Sequence, residues 1–277
     1  MKKTKLSAPD IVAMKGVDKI TMLTAYDASF ARLLESAGVD MLLVGDSLGM
    51  VVLGYDSTVP VTMDDMIHHA AAVRRGAPHT MVVGDMPFLS YQVSRQKAVA
   101  NAGRLFKEAG CDAVKLEGGL EVCPAVRAII GAGMPVMGHI GLTPQTAGKL
   151  GGFKVQGKDV ESARRLLREA KALEEAGVFG LVLECIPDGL ATLISQTVTI
   201  PTIGIGAGAG CDGQVLVTHD LLGLFEKFVP SFVKKYINLA PEIKEAVASF
   251  SAEVKAGGFP DKDHSFPLQI DPSELLS

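Results

Sequence analysis

Tryptophan is absent, and aromatic residues make up only 5% of the chain. Stacking platforms for bases or sugar rings are therefore not expected. Cysteine is scarce: Cys111, Cys123, Cys185 and Cys211 are the only four, and no two form a CxxC pair. That spacing argues against a zinc knuckle or a redox dithiol. Buried, reduced thiols in a cytosolic protein are expected instead. No apolar run reaches the length of about 18 residues that a membrane-spanning helix needs. The basic start, Met1-Lys2-Lys3-Thr4-Lys5, is followed by Pro9, Asp10, Lys15 and Asp18 rather than by the apolar stretch of a signal peptide. Neither charge sign is in great excess: 27 basic residues face 31 acidic ones, a net charge of −4. That balance provides no strong field for nucleic acid or for an anionic membrane.

The chain has ample material for a core. Hydrophobic residues make up 48% and charged residues 21% of the 277 positions. These are the proportions of a globular protein, not of a disordered one. Short apolar runs alternate with amphipathic stretches from end to end. The runs are Ile20–Thr24, Met41–Val44, Met81–Val83, Ala113–Glu117, Val136–Ile140, Gly180–Glu184, Thr202–Ile205 and Val215–Val217. They are apolar on both faces, as strands buried beneath helices are. Helices are expected over Ala28–Ala37, Met63–Arg75, Ser94–Ala109, Glu121–Gly131, Val160–Ala176, Leu190–Thr197, Leu221–Phe228 and Pro241–Ala256. Thr62 supplies an N-cap with first-turn acids behind it, and Pro241 is suited to a helix start.

A weak internal repeat supports this alternation. Glu35-Ser-Ala-Gly-Val-Asp40, Glu108-Ala-Gly-Cys-Asp112 and Glu175-Ala-Gly-Val-Phe179 each precede an apolar run. Gly38, Gly110 and Gly177 would close the helix before it. Two β/α units of roughly 30–40 residues fit between successive copies. The pattern predicts an α/β fold, a single (β/α)8 TIM barrel domain over 1–277, with the barrel at about 20–256 and a C-terminal arm at 257–277. An open doubly wound sheet is the alternative. A long Gly- and Thr-containing loop is expected over Leu142–Lys158.

Barrel enzymes work at the C-terminal ends of their strands. Asp46 and Asp85 each follow an apolar strand and a glycine, and Glu117 and Glu184 each end a strand. Their spacings are about one, one and two β/α units, so all four would share one rim. Clustered carboxylates repel, and burial opposes their charge. A cation relieves both, and an oxygen-only set favours Mg2+. Lys115 lies two residues before Glu117, so both share a strand face with Ala113, while Val114 and Leu116 point away. An inward lysine is suited to anchoring an anionic substrate. His139 is equally consistent with a structural or a site role. His68 and His69 are expected on a partly exposed helix face. The glycines of Gly204-Ile-Gly-Ala-Gly-Ala-Gly210 suit a phosphate cradle or a tight turn beside a bulky ligand, and no P-loop follows them.

Several longer motifs add to this. They are Thr24-Ala-Tyr-Asp27, Val44-Gly-Asp-Ser-Leu-Gly-Met50, Gly54-Tyr-Asp-Ser-Thr-Val-Pro60, Gly84-Asp-Met-Pro-Phe88, Lys115-Leu-Glu-Gly-Gly119, Gly138-His-Ile-Gly-Leu-Thr-Pro-Gln145 and Gly204-Ile-Gly-Ala-Gly208. In this order the chain resembles the ketopantoate hydroxymethyltransferase family, from about Thr21 to Ala240. The resemblance implies a (β/α)8 barrel that transfers a hydroxymethyl group from methylenetetrahydrofolate to 3-methyl-2-oxobutanoate through a Mg2+-stabilised enolate. The product, 2-dehydropantoate (ketopantoate), feeds pantothenate and coenzyme A synthesis. By position, Asp46, Asp85 and Glu117 match the metal-site acids. Asp46, Ser47, Asp85 and Lys115 match the oxoacid-binding residues, and Glu184 matches the proton acceptor. The resemblance also implies a homo-oligomer, a decamer; the charge balance, the lack of a long apolar run and the reduced cysteines predict a cytoplasmic protein with no nucleic-acid or membrane partner. Two rivals stand beside it: a related Mg2+-dependent oxoacid lyase or mutase on the same barrel, and a non-catalytic scaffold.

Overall fold

In the computed structural model, which describes residues 5–149, 151–227 and 229–275, eight strands pair in chain order and close into a barrel. They are β1 (Ile20–Thr24), β2 (Met41–Val44), β3 (Met81–Asp85), β4 (Ala113–Glu117), β5 (Val136–Gly141), β6 (Gly180–Glu184), β7 (Thr202–Ile205) and β8 (Gly213–Leu216). All neighbours are parallel, and β8 returns to β1 with Ile20 opposite Gly213. That pairing excludes the open sheet. Five strands keep their expected bounds. Asp85 and Gly141 extend two others, and the last begins at Gly213 instead of Val215.

The helices are α1 (Ala8–Ala13), α2 (Ala28–Ser36), α3 (Leu48–Val51), α4 (Met63–Gly76), α5 (Arg95–Lys107), α6 (Cys123–Gly131), α7 (Val160–Ala176), α8 (Asp188–Thr197), α9 (Thr218–Leu221) and α10 (Leu239–Ala256). Thr62 caps α4 as expected: its hydroxyl accepts from Asp65 N at 3.1 Å, and Asp65 accepts from Thr62 N at 2.9 Å. Gly177 ends α7 at φ +99°, a left-handed conformation that carries no Cβ penalty in glycine. The other two repeat glycines, Gly38 and Gly110, also have positive φ. The expected helix over Leu221–Phe228 does not form. One turn, α9, ends at Leu221, Gly223 takes φ +66°, and the chain continues irregularly among the described residues, with Phe228 lying outside them. The loop after β5 is as long as expected, with one 3-10 turn at Pro144–Thr146. β7 and β8 are joined without a helix.

Strand alternation divides the core in two. Outward residues such as Leu42, Val44, Val82, Val114, Leu116, Leu181 and Leu183 pack beneath the helices. Inward residues, among them Met22, Met41, Met81, Ala113, Met137, Val182 and Val215, fill the lumen. The unbranched methionines suit that irregular space. α1 packs Ala8 and Ile11 into the same cluster. No apolar period announces so short a helix. Lys15 Nζ, just past α1, donates to Asp212 Oδ2 at 2.8 Å, immediately before β8. α1 therefore lies at the N-terminal ends of the strands, opposite the candidate site.

The described residues fall into two compact units, 5–218 with 230–233, and 219–229 with 234–275. The barrel belongs to the first. In the second, α10 exposes Ile243, Val247, Phe250 and Val254, Gly257 ends it in the left-handed region, and Phe250 meets Phe259 edge-on. All four cysteines are free, and all but Cys185 are buried.

Barrel closure yields a stability prediction. A Cβ on Gly213 would strike the Ile20 carbonyl oxygen and the Ile203 side chain. Gly213→Ala should lower stability by about 1–3 kcal/mol through overpacking. Gly103→Ala, in α5 with open space around it, should instead raise it by about 0.5–1 kcal/mol. Chemical denaturation midpoints check both signs.

Candidate active site

The alternation that fills the lumen with apolar residues at one end delivers polar ones at the other. Asp85 ends β3, Lys115 and Glu117 lie on the inner face of β4, His139 on β5, and Glu184 ends β6. The register sets Asp85 beside Lys115 and Glu117 beside His139. Asp46 follows β2 after one glycine, and its backbone N–H donates to Asp85 Oδ2 at 3.3 Å. Asp46, Asp85, Lys115, Glu117 and His139 are all buried, none exposed by more than 5%. The expected shared face of Ala113, Lys115 and Glu117 is borne out, with Val114 and Leu116 in the outer core.

Asp46, Asp85 and Glu117 bring carboxylate oxygens within 4.8 Å of one another. Lys115 Nζ lies 2.9 Å from Asp85 Oδ1 and 3.7 Å from Glu117 Oε1. One ammonium thus faces three acids. Burial, then the charges of Asp85 and Glu117, push the Asp46 carboxyl well above the usual carboxylate range. Burial also raises Asp85, against the pull of Lys115. At Glu117 burial acts upward too, but the hydrogen bond with His139 and the charge of Lys115 outweigh it and hold the carboxyl low. Burial disfavours charge on Lys115, yet Asp85, Glu117 and Asp46 more than compensate and raise its pKa. Asp85 Oδ1 is buried without a well-aligned hydrogen bond despite its nearness to Lys115. Hard oxygens and surplus negative charge together fit a divalent cation.

His139 binds the cluster to Glu184. Its Nδ1 lies 3.1 Å from Lys115 Nζ and 3.5 Å from Glu117 Oε1, and its Nε2 lies 3.2 Å from Glu184 Oε2. Burial and Lys115 oppose a charge on the ring, but the contacts with Glu117 and Glu184 outweigh them and lift its pKa. Glu184 stands across His139 from the triad, its side chain 16% exposed against 2% for Asp85 and Glu117. Of the clustered acids it is therefore the one open to the mouth.

Other residues of the site carry no signal in composition or period. Gln145 Nε2 donates to Asp46 Oδ2 and to the Met86 carbonyl, each at 2.9 Å, and Gln145 N donates to Glu117 Oε2 at 3.1 Å. The buried Tyr91 hydroxyl lies 2.8 Å from Gln145 Oε1 and 2.9 Å from the Glu117 carbonyl, and its single proton is shared between these two acceptors. Burial, then the Glu117 and Asp85 charges, push that phenol well above its ordinary pKa. Gln145 stands in a quoted motif, which is the one clue the sequence carries for it; Tyr91 lies in an irregular loop. Ser47 Oγ pairs with Tyr26 Oη at 2.8 Å. His69 Nδ1 lies 2.6 Å from the Tyr26 carbonyl, while His68 is exposed. The glycine-rich loop is close-packed against protein: a Cβ on Gly206, Gly208 or Gly210 would strike Phe232, Asp188 or Thr192.

The raised Asp46 carboxyl makes a signed prediction for metal-free protein. Its folded pKa lies above the unfolded value of about 3.9, so between the two the folded state binds more protons. Stability then falls as pH rises through that window. Asp46→Asn removes the loss. In excess chelator its urea midpoint should exceed that of the parent protein at neutral pH, the gap narrowing toward about pH 4. A lower midpoint at neutral pH would refute the repulsion argument.

The ketopantoate hydroxymethyltransferase family model matches residues 5–262. The 3-methyl-2-oxobutanoate hydroxymethyltransferase of Desulfotalea psychrophila is 65% identical over 269 residues, covering 97% of this chain and 96% of that protein. That of Syntrophus aciditrophicus is 61% identical over 249 residues, covering 90% and 92%. Among solved structures, a phosphoenolpyruvate phosphomutase from Streptomyces platensis subsp. rosaceus has a TM-score of 0.61 at 17% identity, covering 95% of this chain and 92% of that one. A phosphonopyruvate hydrolase reaches 0.60 at 14% identity, covering 100% and 94%. At such identities the structural likeness is one of fold. With close relatives along nearly its whole length and the buried acids and lysine gathered at the barrel mouth, the chain belongs to the ketopantoate hydroxymethyltransferase family.

Proposed function

We propose that this protein transfers a hydroxymethyl group from methylenetetrahydrofolate to 3-methyl-2-oxobutanoate, forming ketopantoate for pantothenate and coenzyme A synthesis. The observation that carries this reading is the oxygen-only acid triad beside buried Lys115, in a chain 65% identical to a 3-methyl-2-oxobutanoate hydroxymethyltransferase. Asp46, Asp85 and Glu117 would hold Mg2+. When bound, the ion supplies Lewis-acid polarisation of the keto oxygen.

The remaining work falls to the chain itself. Lys115 pairs with the oxoacid carboxylate, and Asp46, Ser47 and Asp85 complete the binding site. Tyr26 holds the Ser47 hydroxyl in place. Glu184, more open than the triad and oriented by His139, removes the proton from the carbon beside the ketone. That carbon forms a bond to the methylene carbon of the folate, whose two C–N bonds break to release tetrahydrofolate. Water supplies the hydroxyl oxygen, and its second proton and the proton taken by Glu184 pass to the folate nitrogens. The enzyme works in the cytoplasm as a homo-oligomer, a decamer; the exposed apolar face of α10 supports association alone. Among the described residues no helix is long and apolar enough to cross a membrane.

Two variants separate the roles. In deuterium oxide with Mg2+ and no folate, the parent enzyme should exchange the proton beside the ketone, as followed by proton NMR. Glu184→Ala should slow that exchange by about 10²–10⁴-fold while leaving oxoacid affinity near its original value. Exchange at the original rate would assign the base elsewhere. Lys115→Ala should raise the KM for the oxoacid by about 10- to 150-fold, the worth of a hydrogen bond to a charged group. Lys115→Arg should not restore it, because the planar guanidinium differs in size and shape. An unchanged KM would refute the anchoring role. Adding methylenetetrahydrofolate to the same NMR assay should convert exchange into ketopantoate formation.

A further inference from the structure

One oxygen of each acid in the triad is already tied to an amide donor. Asp85 Oδ2 accepts from Asp46 N, Glu117 Oε2 accepts from Gln145 N, and Asp46 Oδ2 accepts from Gln145 Nε2. Two of these three donors belong to Gln145. The residue lies in the loop after β5, yet it reaches groups carried by the ends of β2, β3 and β4. It is buried, 3% exposed.

The direction of its amide is fixed. The Met86 carbonyl can only accept, and it lies 2.9 Å from Gln145 Nε2. The NH2 group must therefore face Met86 and Asp46, leaving Oε1 toward the Tyr91 hydroxyl. Both amide hydrogens and the amide oxygen are thus engaged. A neutral donor is also the right kind for this place. The Gln145 amide engages one oxygen of Asp46, and its backbone N–H one oxygen of Glu117, without cancelling the charge that attracts a cation. A lysine or arginine there would compete with the ion.

We propose that Gln145 is a positioning residue that sets the cation affinity of the Asp46–Asp85–Glu117 centre, with Tyr91 locking its amide. The inference rests on the assignment of that centre to a divalent metal. Partners that orient metal ligands characteristically change affinity by about 10- to 100-fold when removed.

The test uses the full chain and Mn2+ as the probe, with the dissociation constant read from the electron paramagnetic resonance of the free ion. Gln145→Met keeps the length and the backbone N–H to Glu117 but removes the side-chain donor to Asp46 and Met86 and the acceptor for Tyr91. It should weaken Mn2+ binding by about 10- to 100-fold. Tyr91→Phe keeps the ring and frees the amide, and should weaken it by about 2- to 10-fold, the worth of one neutral hydrogen bond. Circular dichroism in chelator reports whether each variant folds, so affinity is compared between folded proteins. A residue that merely supported the fold would change the unfolding midpoint and leave the dissociation constant alone. Parent-like affinity in folded Gln145→Met overturns the proposal; if that variant does not fold, parent-like affinity in Tyr91→Phe does so. No Mn2+ binding by the parent protein would instead overturn the metal assignment and this inference with it.

Discussion

Lys115 Nζ lies 2.9 Å from Asp85 and 3.7 Å from Glu117 in a place almost closed to water. Taking charges out of water is costly, and only close, well-made pairing offsets it. Here the pairing is incomplete by design of the residue set: three buried acids meet one lysine. The imbalance accounts for much of what surrounds it. With burial, it raises Asp46 and Asp85; it also holds Lys115 charged and places the triad oxygens against neutral donors from Gln145 and from the Asp46 backbone. A divalent cation would complete the charge balance, so the same repulsion that opposes the bare fold would favour a loaded site.

The barrel contains this cost by separating functions along its axis. Near the N-terminal ends the lumen is filled by methionine, valine and isoleucine, and α1 packs Ile11 into them. Near the C-terminal ends the same inward positions become Asp85, Lys115, Glu117 and His139. The apolar layer and the charged layer share strands and are both buried, but differ in polarity. A sheet of period two is well suited to this, because one residue's choice sets the lumen face without altering the outer one.

Much of this was legible in the residues. Apolar runs with polar ends located all eight strands, and the i, i+2 rule oriented Lys115 and Glu117 correctly. Asp46 and Asp85 were recognisable because each follows an apolar run and a glycine, and Glu117 because it ends an apolar run directly. Their convergence is a property of the closed barrel, which local sequence does not state. Gln145 and Tyr91 were less visible because they act from irregular loops, where hydrogen-bond partners lie up to 99 positions away. The same limit explains the end of α9: Gly223 breaks the turn, and its surroundings, Asn238 and the Ile237 carbonyl, come from a later segment. The glycine-rich stretch after β7 was ambiguous for another reason. Glycine permits close approach but does not say to what, and here the neighbours are Asp188, Thr192 and Phe232.

The anchoring of α1 bears on how the chain is made. Lys15 contacts Ser195 and Asp212, partners 180 and 197 positions downstream. β1 likewise meets β8 only across nearly the whole barrel. A ribosome releases the N-terminal segment first, but the surface that receives it is synthesised almost last. Until then Ile11 and the open edge of β1 have no native cover, and closing so long a loop carries its entropic cost before the contacts form. The seam between first and last strands is therefore the late event of biogenesis, and the nascent barrel spends most of its synthesis with one adhesive edge in need of protection.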